Sequence, residues 1–529
     1  MEFDVIIRNG SILDGSGKDA YRADIGVTGK TIAAIGDLSM ACAGEVLDAA
    51  GKTVTPGFLD AHRHADAAIF SDGFGTAELT QGLTTVINGN CGLSAAPVFG
   101  AHAGDVASYL YPITGDLGNI PAESLADYLN ALKNHPLPLH AGMLIGLGTV
   151  RANVAGFSKD LSDEDYRAIH ALLERTLGEG ALGVSLGLGY APECFFDTAG
   201  LIRALAPIRD TNLTLSVHMR SESMNLLPSI DEALAIGKAL KVPLQISHLK
   251  AVGKARWGTL VYEALEQIRR ACEEGMDVQC DAYPYTAGST QLLHVLPPEF
   301  LGGGTDAIAR RLIDPDAQKT LKERLDYGTD FDNYAKLIGW ENIEIASVRL
   351  PSDQCFVGKT VAEAAGNAEP WRFTAELLSR NACAVTMIDR LTHEDDIAAI
   401  YKAPFSYVIS DATYPTGGLL HPRVYGTFVH VLERFVKERR AIVLAEAVRK
   451  MTRMPADRYG LKKKGRIETG ADADLVIFDP NRVHERATFQ DPAQCCVGVE
   501  TVLVNGAIAV RSGACTGKTN GTIIERRSV

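Results

Sequence analysis

The stretch "TPGFLDAHRHADAAIF", residues 55–70, places two histidines one residue apart after a short apolar run. Side chains two positions apart in a strand point to the same side, so His62 and His64 should converge while Arg63 points away. A structural pair of hydrogen-bonded histidines would explain the stretch as well, because HxH is a short pattern. The rest of the chain has to decide between this pair and a functional site.

Composition narrows the classes of function. The 529 residues are 46% hydrophobic and 22% charged, and this length suggests a large core with a smaller satellite domain. The net charge of -13 argues against nucleic acid or an anionic membrane as a partner, since both favour a basic surface. The ten cysteines are too scattered to form a disulfide framework.

The opening "MEFDVIIRNGSILDG" lacks the basic and apolar regions of a signal peptide. No apolar run reaches the length of a membrane span. We therefore expect a cytoplasmic location.

The two ends of the chain differ from its middle. Both ends consist of short Val- and Ile-rich runs broken by Gly and Asp, such as "ADIGVTGKTIAAIG" and "GADADLVIFDP", which predicts one small sheet domain built from both termini. The middle alternates apolar strands with amphipathic helices, which indicates parallel strands and crossover helices. An eight-fold barrel and an open doubly wound sheet both fit this alternation. The absence of a GxGxxG or P-loop motif after the first strands weakens a dinucleotide-binding interpretation.

Polar residues recur where the predicted strands end. "TTVINGNCG", "TLSVHMRSE", "PLQISHLK" and "FSYVISDATYP" each carry one after an apolar run, and these residues are Cys91, His218, His248 and Asp411. In a parallel barrel the carboxyl ends of the strands meet on one face, where active sites form. Together with His62 and His64, these four residues predict a metal site, and the mixture of imidazole, thiolate and carboxylate favours zinc.

The chain resembles the amidohydrolase superfamily and, within it, the D-aminoacylase family of N-acyl-D-amino-acid deacylases. The motifs that carry the resemblance keep their order along the whole chain: "VTPGFLDAHRHAD", "GLTTVINGNCG", "GVSLGLGYAP", "SVHMRSES", "ISHLK", "DAYPYTAGST", "SDATYPTGGLLHPRVYGTF" and "GRIETGADADLVIFDP". The resemblance implies a distorted (β/α)8 TIM-type barrel over residues 56–460, with a possible lid or insertion around 287–345. It also implies a small β-sandwich built from residues 1–55 and 461–529.

The resemblance further implies zinc-dependent hydrolysis of N-acyl-D-amino acids, with one tightly bound zinc held by Cys91, His218 and His248. A second, weaker metal position would lie between His62 and His64, with Cys91 able to bridge. Many amidohydrolases bridge two metals with a carbamylated lysine on the fourth strand, but "ALGVSLGLG" has no lysine, which favours the deacylases over hydantoinases.

The remaining roles that the resemblance implies belong to the acid/base and to the substrate. Asp411 would be the general acid/base, although a role as a metal ligand alone stays open. The residues expected to contact the substrate are Lys250 and Arg423, which would hold the α-carboxylate, together with Tyr283, Ser289 and Tyr190.

The chain departs from the family pattern at two positions. Leu147 in "GLGTVR" stands where a histidine is common, and Glu193 in "YAPECFF" stands where glycine is frequent. In addition, "TQLLHVLPP" has no arginine of the kind found in D-glutamate-specific members. We therefore expect neutral or apolar side chains on the substrate. The alternatives are another cyclic-amide or carbamate hydrolase, similar to the hydantoinases, or a non-catalytic scaffold on the same fold.

Overall fold

The computed structural model of the protein describes residues 2–526, and its centre is a ring of parallel strands. Eight strands form this ring: β1 (Phe58–Asp60), β2 (Leu83–Asn88), β3 (His140–Met143), β4 (Gly183–Gly187), β5 (Thr214–His218), β6 (Leu244–Ile246), β7 (Val278–Ala282) and β8 (Ser406–Val408). From β1 to β3 and from β4 to β8, each strand pairs in parallel with the next one.

Short strand extensions close the ring at two places. Ile145–Gly146 continues β3 and pairs with β4, while Arg63–His64 and Ala412–Thr413 continue β1 and β8 and pair with each other. The predicted (β/α)8 barrel is therefore confirmed, and its irregular pairing explains why it is distorted.

Helices connect the strands and cover the barrel. Those outside the inserted region are Thr76–Leu79, Ala103–Thr114, Leu125–Asn134, Leu147–Ala155, Asp163–Glu179, Thr198–Ala204, Leu226–Leu240, Leu260–Glu273, Glu394–Lys402, Arg423–His430, the π-helical Val431–Glu438, Leu444–Met451 and Arg453–Arg458. Short 3-10 turns lie at Ala68–Phe70, Gly100–His102, Glu193–Phe195, Ala206–Ile208, Lys254–Arg256, Leu292–Val295, Pro298–Phe300, Trp340–Asn342 and Pro351–Phe356. Among the residues that the structure describes, no helix is both long and apolar enough to cross a membrane.

The helix Asp163–Glu179 shows why these segments fold as they do. Ser162 caps its first turn by accepting from the Asp165 amide, and the Asp165 carboxylate accepts from the Ser162 amide in return. Ile169 and Leu173, four residues apart, lie on one buried face of the helix. This apolar face packs the helix against the barrel core.

Two sheets built from both chain ends form the predicted β-sandwich. One sheet contains, in spatial order, Thr31–Gly36, Asp24–Thr28, Glu2–Arg8 and Cys42–Asp48; the other contains Ala514–Cys515, Ala507–Arg511, Val499–Val504, Leu475–Phe478, Thr53–Pro56, Ser11–Ile12 and Tyr21–Arg22. Thr53–Pro56 pairs with Leu475–Phe478, which joins the two chain ends directly. Ile7, Val54 and Leu503 contribute to the apolar core of this sandwich.

The last strand of the described chain lies on the barrel rather than in the sandwich. Ile523–Ile524 pairs in parallel with β3 at Ala141 and Gly142. Because β3 meets β4 only through Ile145–Gly146, one edge of β3 is left with backbone groups that need partners. The terminal strand supplies them, which the sequence patterns did not predict.

An inserted region follows β7 and covers the mouth of the barrel. It contains a three-stranded antiparallel sheet of Ala287–Gln291, Val385–Arg390 and Ile343–Val348, in that spatial order, with helices Gly304–Leu312, Pro315–Tyr327, Tyr334–Leu337, Val361–Ala365 and Pro370–Arg380. Its elements share a separate apolar core that includes Leu321, Ile345 and Leu377. The inserted sheet extends to Arg390, beyond the 287–345 limits expected from the sequence. Its later strands and helices alternate much as the barrel elements do, so the sequence pattern did not mark where the insertion ends.

Candidate metal centre

The six polar side chains singled out at strand ends meet at one face of the barrel. Cys91 follows β2, His218 ends β5, His248 follows β6, Asp411 follows β8, and His62 and His64 follow β1. All six residues are buried or line the same cavity. The convergence arises because parallel barrel strands end together on one side.

Cys91, His218 and His248 form the first group of potential metal ligands. The His218 Nδ1 and His248 Nε2 atoms are 2.9 Å apart, and Cys91 Sγ is 3.5 Å from His248 Nε2. One donor atom from each of the three residues lies within 4.8 Å of the others. Two imidazoles and a thiol at this spacing leave one tetrahedral position for water or substrate.

The second group contains His62, His64, Asp411 and, again, Cys91. Cys91 Sγ is 3.2 Å from His62 Nε2, while Asp411 Oδ1 is 3.4 Å from His62 Nε2 and 3.3 Å from His64 Nε2. Because Cys91 belongs to both groups, one sulfur lies between two adjacent positions.

The contacts of Arg63 explain why an arginine lies between the two histidines. Its guanidinium pairs with Asp60 at 2.9 Å and Glu78 at 2.6 Å, and its Nε donates to the Tyr414 hydroxyl at 2.7 Å. The Arg63 and Glu78 side chains are buried, so this network fixes the strand end from behind. His62 and His64 point toward the donor cluster on the other side, as the two-residue strand period predicts.

The backbone is strained at three of the six positions. Cys91, His248 and Asp411 have φ values of 54°, 34° and 53°, in the left-handed region that residues with a Cβ rarely occupy. Each such residue costs about 1–3 kcal/mol and persists only where the surrounding structure enforces it. Strain of this kind concentrates at functional sites.

The electrostatics of the cluster suit a bound cation. Burial lowers the pKa of His62 and His218, so both rings are held neutral, as metal ligands must be. Burial and the Asp411 charge raise the pKa of the Cys91 thiol, so the thiolate needs a positive neighbour. Burial would raise the pKa of Asp411, yet the Arg423 guanidinium and His64 hold it well below its usual value. Neutral imidazoles, a thiol and a carboxylate in one buried cluster fit zinc.

Glu222 contacts His248 and Lys250, and the sequence patterns missed it. Its Oε1 lies 2.9 Å from His248 Nδ1 and accepts from Lys250 Nζ at 2.5 Å. The amide of His248 also donates to Asp281 Oδ1 at 2.6 Å. Carboxylates that hold the second ring nitrogen of a ligand histidine set its orientation and tautomer. An acidic residue four positions after the strand-end His218 was the available signal.

A cavity opens beside the two ligand groups, and four of the five predicted substrate residues line it. These residues are Lys250, Tyr283, Ser289 and Tyr190. The Tyr190 ring packs against His218 at an interplanar angle of 40°, with centroids 4.5 Å apart, and its hydroxyl is 2.9 Å from Thr290 Oγ1.

Arg423 is the fifth predicted substrate residue, and it lies behind Asp411 rather than in the described cavity lining. The Arg423 side chain is fully buried and donates to Asp411 Oδ2 and to the Ser289 carbonyl, each at 2.9 Å. These contacts make it a partner of Asp411. Its predicted contact with a substrate carboxylate stays a prediction.

The two departures from the family pattern lie outside the described cavity lining. Leu147 is buried at the first position of helix Leu147–Ala155. Glu193 is also buried, and its Oε2 accepts from the Gly187 amide at 3.0 Å, at the end of β4. Burial raises the pKa of Glu193 to about 8. A Cβ on Gly92 would meet Glu193 Oε2, so this carboxyl group packs directly beneath the loop that carries Cys91.

Known proteins are similar to this chain in sequence and in architecture. A model of the amidohydrolase family matches residues 45–211 and 389–510. The D-aminoacylase of Alcaligenes xylosoxydans xylosoxydans is 33% identical over 99% of this chain and 98% of its own. The N-acyl-D-glutamate deacylase of the same organism is 33% identical over 96% of this chain and 93% of its own.

Solved structures give the same result. A D-aminoacylase crystal structure, described as defining a novel subset of amidohydrolases, has a TM-score of 0.83 at 30% identity and covers 99% of this chain and 100% of that one. An N-acyl-D-glutamate deacylase from Bordetella bronchiseptica, complexed with zinc and a phosphonate inhibitor, has a TM-score of 0.84 at 30% identity, with the same coverage. The chain therefore belongs to the amidohydrolase family and, within it, to the D-aminoacylase family.

Proposed function

We propose that the protein is a zinc-dependent hydrolase that cleaves N-acyl-D-amino acids to a carboxylate and a free D-amino acid. The main support for this proposal is the position of Cys91. Its sulfur belongs to two adjacent groups of potential metal ligands at the mouth of the barrel. Relatives similar over nearly the whole chain are named D-aminoacylase and N-acyl-D-glutamate deacylase, and they support the same substrate class.

We propose Cys91, His218 and His248 as the ligands of one tightly bound zinc. His62 and His64, with Asp411 and a bridging Cys91, would hold a second, weaker metal. When bound, zinc supplies Lewis-acid chemistry that acidifies water and polarises the amide carbonyl.

Asp411 is the proposed general acid/base. Its Oδ1 atom faces the ligand cluster, while Oδ2 is held by Arg423 at 2.9 Å, so one oxygen is fixed and the other stays available for proton transfer. The low pKa of Asp411 keeps the carboxylate ionised, which is the protonation state that a general base requires. Delivery of that proton to the amide nitrogen then lets the amine leave.

Lys250, Tyr283, Ser289 and Tyr190 are the proposed substrate contacts. Lys250 Nζ lies at the edge of the ligand cluster, where it also donates to the His248 carbonyl at 3.0 Å. A cation in this place can attract a substrate carboxylate while the metal site holds the scissile carbonyl. With both groups held, the α-carbon can direct its side chain in only one direction, which gives the site its preference for one enantiomer.

Further assignments follow from the chain as a whole. We propose domain limits of 1–55 and 461–529 for the sandwich and 56–460 for the barrel, which the two terminal sheets support apart from the strand Ile523–Ile524. All ten cysteines are free, which supports the cytoplasm as the proposed location. The partner is a small molecule, and the net charge of -13 gives no reason to expect a nucleic acid.

A substrate panel tests the proposed function. Zinc-loaded protein is assayed with N-acetyl-D- and N-acetyl-L-amino acids bearing matched side chains, and with hydantoins. We expect hydrolysis of the D-isomers, little activity on the L-isomers and poor activity on N-acetyl-D-glutamate. Preference for L-isomers or for hydantoins would contradict the assignment.

A further inference from the structure

Asp389 is a buried acid on the wall of the catalytic cavity that the proposed mechanism does not use. It lies near the end of strand Val385–Arg390 of the inserted sheet, and its residue is 1% exposed. Both carboxylate oxygens are buried, and neither has a hydrogen-bond partner among the residues that the structure describes. Buried carboxylates are normally paired, so this one needs an explanation.

Neither of the cations that act on Asp389 forms an ion pair with it among the described residues. Lys250 is paired with Glu222, and Arg423 is paired with Asp411. Burial raises the pKa of Asp389 to about 7, and the more distant Lys250 and Arg423 charges offset only part of that effect. Among the described residues, the Asp389 carboxylate forms no ion pair. A structural role in an ion pair therefore does not explain why it is buried.

The glycine opposite Asp389 keeps a side chain off the carboxylate. Gly288 pairs with Asp389 across the sheet, and a Cβ at Gly288 would lie 2.9 Å from Asp389 Oδ1 and 3.1 Å from the Tyr283 hydroxyl. Gly288 does not have a positive φ, so its backbone conformation does not require glycine. Glycine at this position avoids a clash with the carboxylate and with the Tyr283 hydroxyl.

Asp389 and the ligand cluster stand on different walls of one cavity. The ligands come from the barrel strands, whereas Asp389, Leu391 and Tyr334 come from the inserted region. A substrate held through its carbonyl at the metal site and through its carboxylate at Lys250 has one large substituent left, which is its side chain. That side chain can extend toward the inserted wall, where Leu391 and Asp389 both line the cavity.

We propose that Asp389 selects a positively charged substrate side chain, so that the preferred substrates are N-acyl derivatives of basic D-amino acids such as lysine or arginine. The proposal rests on the proposed function and deepens it. The aliphatic stem of such a side chain can pack on Leu391 while its cation pairs with the carboxylate. An acidic side chain is repelled here, as expected from the sequence. The proposal replaces the expectation of neutral or apolar side chains, because an apolar one leaves Asp389 unpaired.

Two substrates of matched shape test this selectivity. Zinc-loaded protein is assayed with Nα-acetyl-D-lysine and with N-acetyl-D-norleucine, which has the same straight chain without the ammonium group. We expect kcat/KM to be about tenfold or more higher for the lysine substrate, on the scale of a charged hydrogen bond. In Asp389→Asn the preference should disappear, while the exposed control Asp306→Asn should retain it.

The outcomes separate the two proposals. Hydrolysis of both substrates without a preference for lysine in the wild-type protein, or an unchanged preference in Asp389→Asn, would overturn the role of Asp389 and leave the proposed function standing. Failure to hydrolyse any N-acyl-D-amino acid would overturn the proposed function and this inference with it. Thermal unfolding adds a check, because an unpaired carboxylate predicts no loss of Tm in Asp389→Asn, whereas a structural role predicts a clear loss.

Discussion

Arg423 holds one oxygen of Asp411 while the other oxygen faces the histidines of the ligand cluster. The Arg423 Nη1 to Asp411 Oδ2 distance is 2.9 Å, and Oδ1 lies 3.3 Å from His64 Nε2. The strained φ of 53° at Asp411 helps to direct the carboxylate into this position. A residue held in this way can move protons without moving itself.

Replacement of Asp411 by Asn tests its proton-transfer role. The amide keeps the shape of the side chain but cannot accept the proton, so we expect kcat to fall by at least about 100-fold. Zinc content and the unfolding midpoint should stay close to the wild-type values, and both are measured as controls. Near-normal turnover by the zinc-loaded Asp411→Asn variant would show that Asp411 is at most a ligand.

Glu222→Gln tests the support beneath His248. The carboxylate contacts both His248 Nδ1 and Lys250 Nζ, and its replacement removes the charge that orients the ring. We expect zinc affinity to fall by about 10–100-fold, the usual effect of losing such a carboxylate. Competition with a chelator measures the affinity. Glu232→Gln, at a carboxylate paired with Arg220, is the matched control and should bind zinc normally; equal affinities for all three proteins would contradict this role.

Asp474 links the terminal sandwich to the barrel, and it predicts a pH-dependent stability. Its carboxylate lies 3.1 Å from His140 Nε2 of β3 and 2.7 Å from Lys464 Nζ. Burial would raise the pKa of Asp474, but His140 and Lys464 hold it well below its usual value. Asp474→Asn should therefore lower the free energy of unfolding by about 3–5 kcal/mol at pH 7, because one partner of a buried pair is lost.

The sign of the pH effect follows from the lowered pKa. The stabilisation by Asp474 is fully present above the ordinary carboxyl pKa of about 4 and is lost as the pH falls through the folded-state value. Urea unfolding of both proteins between neutral and acidic pH should therefore show a difference that narrows on the acid side. Asp472→Asn, at a more exposed partner of Lys464, should show a smaller loss. A difference that widens in acid would contradict the account.

The alternation of apolar strands and amphipathic helices predicted parallel strands, and the resemblance to the amidohydrolase superfamily selected the barrel over an open doubly wound sheet. Apolar runs mark the strands, and the two-residue strand period brings His62 and His64 to one side. Asp389 had no such local signal, and Glu222 had only its position four residues after the strand-end His218. Glu222 lies in the loop after β5, and the position of Asp389 depends on pairing with Gly288 and Ile343 across the inserted sheet. Such long-range pairing leaves no local pattern.

The position of the terminal strand was not predicted, for a related reason. Two isoleucines, Ile523 and Ile524, carry no periodicity, and their partner is an open edge of β3 far away in the chain. The fully buried Arg423 shows how little the sequence reveals about the contacts of a single residue. Its position in the chain predicts nearness to the site, but only the folded contacts reveal that its charge is directed at Asp411.

Cys91→Ala tests the central claim most directly, because this sulfur is shared by both ligand groups. Zinc content and hydrolysis of an N-acetyl-D-amino acid are measured for the wild type, for Cys91→Ala and for the control Cys280→Ala, which removes another buried thiol from the barrel. We expect about one tightly held zinc per chain and normal turnover in the wild type and in the control. Cys91→Ala should lose both the zinc and the turnover. A Cys91→Ala protein that keeps its zinc and turns over normally would contradict the central claim.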